Sequence, residues 1–69
     1  MKKKEMTERQ GRMVAEFYLG KVQRGKMTED ECVEEIRRKL GKEGYDTGAI
    51  LWTISEFTDL VREHGDYKW

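Results

Sequence analysis

Cys32 and His64 are the side chains best suited to chemistry in this chain of 69 residues, and each type occurs once. A thiolate nucleophile needs a neighbour that lowers its pKa. Cys32 instead has Glu29, Asp30, Glu31, Glu34 and Glu35 around it in sequence. Those carboxylates disfavour the thiolate, so Cys32 reads as a structural core residue, the usual role of a free cysteine. His64 is flanked by Glu63 and Asp66, with no Ser or Cys beside it. General-base catalysis requires a positioned partner, so His64 reads as a helix-capping or partly buried residue. One Cys and one His also fall short of the four ligands of a structural zinc site. No nucleophile, base and stabiliser come together, and the expectation is a non-enzyme with no catalytic residues, no metal and no cofactor.

The remaining chemistry is that of surfaces. In the third helical segment, Trp52 falls opposite the apolar face and shares its side with Glu56, Asp59 and Glu63. Tryptophan is enriched at binding hot spots. An indole among acids is therefore the candidate partner-binding surface, with Tyr67 and Trp69 beside it: Trp52, Glu56, Asp59, Glu63, Tyr67 and Trp69. The competing explanation is that the first helix or the tail covers Trp52. A second candidate surface is basic. Met1 to Lys26 carries eight bases against three acids. Lys2, Lys3, Lys4, Arg9 and Arg12, with Arg37 and Arg38, are the residues that would meet phosphate in a small nucleic-acid-binding regulator.

The elements that position these residues are three. Thr7-Glu8-Arg9-Gln10 and Thr28-Glu29-Asp30-Glu31 are capping boxes that start two helices. Val14, Phe17, Tyr18 and Val22 recur at helical spacing in the first. Cys32, Val33, Ile36 and Leu40 form the stripe of the second, with Met27 placed to staple onto Cys32. Glu34 with Arg38, and Glu35 with Lys39, are spaced as i,i+4 ion pairs. Ile50, Leu51, Ile54, Phe57, Leu60 and Val61 share one face of the third. Gly25, Gly41 and Gly65 are the expected stops. Gly11 lies on the apolar face of the first helix and admits close approach of a neighbour. Gly20, on the polar face, marks an early end to that helix. No period-2 strand pattern competes.

The expected fold is all-α: a small antiparallel three-helix bundle with helices over about 7–24, 28–40 and 47–64, the third being the central apolar element. Residues 1–69 form a single domain, with a flexible basic N-terminus (1–6) and an aromatic C-terminal tail (65–69). Gly41-Lys42-Glu43-Gly44 has the GXXG form of a KH-domain loop, but the flanking strands are missing. Leu19 through Leu40 is similar in pattern to a SHOCT-type helical hairpin, through Gly25, Met27-Thr28, Glu31-Cys32 and Lys39-Leu40. A helix-turn-helix reading is opposed by two features. The connection from Gly41 to Asp46 is longer than the usual turn of roughly 3–4 residues, and the third segment is acidic.

Composition sets the frame. Fourteen Lys and Arg balance fourteen Asp and Glu, charged residues are 41% and apolar ones 36%. Leu, Ile, Val and Phe number only thirteen, and a core this thin recruits a second copy or a partner. Charge is laid out in blocks: basic to Lys26, acidic over 27–35, basic over 36–44 and acidic beyond, so one copy is complementary to another. No apolar run approaches a membrane span, no secretory h-region follows Met1-Lys2-Lys3-Lys4, and one Cys forms no internal disulfide, which points to the cytoplasm. The function expected is a protein-interaction module that regulates or inhibits a partner, acting as a homodimer, in the manner of a phage or mobile-element accessory protein. Its partner is a protein, one with a basic surface being the best match. Nucleic acid ranks second and a membrane is excluded.

Overall fold

A computed structural model describes residues 6–64. Its elements are α1 (Glu8–Gln23), α2 (Glu29–Lys42) and α3 (Thr47–Glu63). They pack as a three-helix bundle, the expected all-α class, and none of these helices is long and apolar enough to cross a membrane. Lys2, Lys3, Lys4, Tyr67, Trp69 and the Gly65 stop lie outside the described residues. Met6, assigned by sequence to a flexible terminus, packs against the core instead.

The helix starts follow from local hydrogen bonding. Thr7 accepts from the Gln10 N–H at 3.1 Å and its own N–H donates to the Gln10 side chain at 3.1 Å. Thr28 and Glu31 repeat this reciprocal pair at 3.1 and 2.9 Å. Each box satisfies two of the donors that a helix N-terminus leaves open. Asp46 caps α3 by accepting from the Ala49 N–H at 2.8 Å.

The stops differ from expectation in one case. Gly25 takes φ +73° after α1, and the Lys26 and Gly25 N–H groups donate to the Lys21 and Val22 carbonyls at 2.9 and 3.0 Å. That is a Schellman closure. The second helix, however, runs through Gly41 and ends at Lys42. Gly44 closes it with φ +92°, the Tyr45 N–H donating to Leu40 O at 3.1 Å and the Gly44 N–H to Gly41 O at 3.2 Å. Gly41 is an ordinary helical residue; Gly44 wins because Tyr45 follows it and packs with Leu40 against the core, the apolar contact that accompanies this motif. The GXXG run is thus a helix end. The α2–α3 connection shortens to Glu43 through Asp46, so the length objection to a helix-turn-helix falls and the acidity of α3 remains. Gly20 does not end α1, which continues to Gln23.

The central element is α3, which packs against both other helices, while α1 and α2 barely meet. Ala15, Tyr18, Leu19 and Val22 of α1, Cys32, Ile36 and Leu40 of α2, and Phe57, Leu60 and Val61 of α3 form the buried core. Cys32 belongs to it, and Met27, half-buried, packs against it. Two faces are turned from their expected setting. On α1, Ala15 and Leu19 are inside while Phe17 is 53% exposed. On α3, Thr53 is fully buried while Leu51 is 55% exposed. Both settings go with a close approach at Gly11, described next.

Candidate functional site

The sequence-predicted Trp52 surface is partly internal. Gly11, buried in α1, faces the edge of the Trp52 ring so closely that a Cβ there would collide with it. The indole lies over the one position in that turn with no side chain. At this contact α3 packs on the Gly11–Ala15 side of α1. Thr53, the next residue, is fully buried, its hydroxyl 2.8 Å from Ala49 O and 3.0 Å from Met6 Sδ. Trp52 is half-buried rather than standing clear of the core.

The acids beside it are drawn into the fold to different degrees. Glu56 is half-buried and meets Arg12 of α1 at 3.8 Å, and Arg12 also meets Glu16 at 3.5 Å. Asp59 pairs with Arg62 at 3.5 Å, and Glu63 is exposed. The structure therefore brings Trp52, Glu56 and Arg12 together at the α1–α3 seam. The expected basic surface is divided: Arg9 and Arg12 are on α1, Arg37 and Arg38 on α2, and Arg12 is engaged with carboxylates. The expected Glu34–Arg38 and Glu35–Lys39 pairs are not among the ion pairs of the described residues, which are Arg12–Glu16, Arg12–Glu56 and Arg62–Asp59.

Cys32 is fully buried, with Sγ 3.7 Å from Tyr18 O. Burial first, then the Glu35 and Glu31 carboxylates, push its thiol from 9.0 up to about 11. That is the opposite of a nucleophile's environment. His64 is the exposed C-cap of α3, its N–H donating to Leu60 O at 2.9 Å. Its chemistry there is that of a helix end.

Sequence reasoning missed a different surface. Because α1 and α2 lean on α3 from one side, a groove of about 370 Å³ stays open between them. Val14, Ile36, Leu40 and Tyr45 line it, and Met13 and Phe17 stand at its α1 edge. Met13 is 62% exposed. The Phe17 ring meets the Tyr18 ring edge-on at 5.0 Å and carries the Lys21 ammonium 5.2 Å from its centroid. Lys39 and Glu43 line the groove from α2. The signal was present in the wide apolar spread of α1, where Met13, Val14, Phe17 and Tyr18 cover more of the helix than one packing partner needs.

Compared with protein-family models, with curated proteins and with solved structures, the chain matches none.

Proposed function

We propose that this chain is a non-catalytic protein-interaction module that regulates or inhibits a partner protein, and that its working face is the α1–α2 groove. The observation that carries this is Met13 and Phe17, two large apolar side chains left mostly in solvent beside an apolar groove. Scattered exposed apolar residues need no explanation, but adjacent ones rimmed by charge mark contact surfaces. A partner's aliphatic or aromatic side chains would fill the space over Ile36 and Leu40, while Lys21, Lys39 and Glu43 fix orientation at the rim. Regulation then follows from occupying the partner's surface. The small, densely charged chain suits an accessory protein of a phage or mobile element.

The Trp52 flank is the rival surface, and substitution separates the two. Phe17→Ala should abolish cross-linking of the purified chain to its partner while leaving helix content unchanged by circular dichroism. Trp52→Ala should lower stability yet keep cross-linking per folded molecule. The reverse pattern moves the site to the Trp52–Glu63 stripe.

A further inference from the structure

We infer that the occupant of the α1–α2 face is a second copy of this chain, paired about a two-fold axis that sets α2 antiparallel to the partner copy's α2. The inference rests on the proposed interaction face and names what covers it.

The argument starts from a stripe on α2. Glu31, Glu35, Arg38 and Lys42 are spaced by four, three and four residues, which places them along one side of a helix. That side is next to the α2 wall of the groove: Lys39 and Glu43 line the groove and neighbour Glu35 and Lys42 along the helix, while Glu31, Glu35 and Arg38 border a second concavity with Lys26, Met27 and Glu34. The stripe reads acid, acid, base, base. Turned end for end about the point between Glu35 and Arg38, it meets itself with every sign opposed. Glu31 falls opposite Lys42, and Glu35 opposite Arg38. An isologous interface demands this kind of self-complementarity.

Within one copy the same order sets two repulsive pairs against one attractive pair, Glu35 with Arg38 at i,i+3. Glu31 and Glu35 are like charges at i,i+4, and so are Arg38 and Lys42, an arrangement that destabilises a lone helix. None of the four is ion-paired with another described residue. One Glu31 oxygen accepts from the Thr28 N–H at 2.9 Å. A second α2 would relieve both repulsions at once. The apolar component lies alongside, where Met13 and Phe17 would be covered by the same stacking. The chain's zero net charge adds no overall repulsion between copies.

Sedimentation equilibrium of the full chain tests this, with dimer expected in place of the 8.2 kDa monomer. Phe17→Ala should weaken the dimer by about tenfold or more, as loss of an aromatic anchor does. Glu35→Lys and Arg38→Glu should each be monomeric alone, folded by circular dichroism, and should form a heterodimer when mixed, because Lys opposes Glu and Arg opposes Glu in the mixture. A wild-type chain that stays monomeric at about 1 mM overturns the inference, and so do single charge variants that self-associate like wild type. If the chain is monomeric yet cross-links through Phe17 to another protein, the dimer fails while the interaction-module reading stands. If neither occurs, both fail.

Discussion

A hydrogen atom in place of a methyl group sets the geometry of the α1–α3 seam. At Gly11 an added Cβ would overlap the Trp52 ring, with Cε3 only 2.8 Å away and Met6 Sδ at 3.3 Å. An ordinary exposed Gly→Ala change inside a helix stabilises by about 1 kcal/mol. Here the overlap should cost about 1–3 kcal/mol, so Gly11→Ala should lower the urea midpoint. In a Trp52→Ala background the same change should become neutral or stabilising, since the obstructing ring is gone. That sign reversal is the double-mutant signature of a direct contact. A Gly11→Ala variant more stable than wild type would show that the ring lies elsewhere.

The single residue also explains what the sequence left hidden. Thr53 is polar by type, yet it is buried because its hydroxyl finds the Ala49 carbonyl one turn back. Phe17 is apolar by type, yet it is outside. Helical spacing assigns residues to a side, but only the neighbour's position decides which side is inside. Gly11 was visible as a site of close approach. That the approaching group is Trp52, from the flank judged wet, depends on tertiary packing that no period reveals.

At the scale of elements, local chemistry was legible and helix ends nearly so. Thr7 and Thr28 cap where their side chains predict, because a cap needs only the next three residues. The α2 stop was misplaced from Gly44 to Gly41 because both are glycines and the deciding contact, Tyr45 with Leu40, is three-dimensional. The two glycines now make opposite predictions. Gly41 has nothing within 4 Å of an added Cβ and an ordinary helical backbone, so Gly41→Ala should stabilise by up to about 1 kcal/mol. Gly44 holds φ +92°, where an L side chain is strained, so Gly44→Ala should destabilise by about 1 kcal/mol or more. Thermal unfolding of the two variants measures both signs, and equal shifts would return the stop to Gly41.

For the whole molecule, the all-α class, the single bundle and the centrality of α3 could be read from pattern and length. The open α1–α2 side could not, because it arises from how three helices share one core. Stability as a whole carries a pH signature. Burial and the nearby Glu35 raise the Cys32 thiol from 9.0 to about 11 and raise the Tyr18 phenol above 10.0. The folded chain holds these protons more tightly than the unfolded chain does. Their contribution is therefore complete below about pH 9 and is lost as pH rises towards 11, by on the order of 1–2 kcal/mol for the thiol. Chemical denaturation at pH 8, 9.5 and 11 should show this decline, and Cys32→Ala should flatten it. A wild-type curve level to pH 11 would place the thiol in water.

The dependence of both outer helices on α3 has a consequence during synthesis. The ribosome releases α1 and α2 before the helix they lean on, and those two scarcely touch each other. Until Phe57, Leu60 and Val61 emerge, Val22 and Ile36 have no surface to bury against. Until α3 emerges, the α1–α2 segment stays open to chaperones and proteases, and it gains protection when α3 docks.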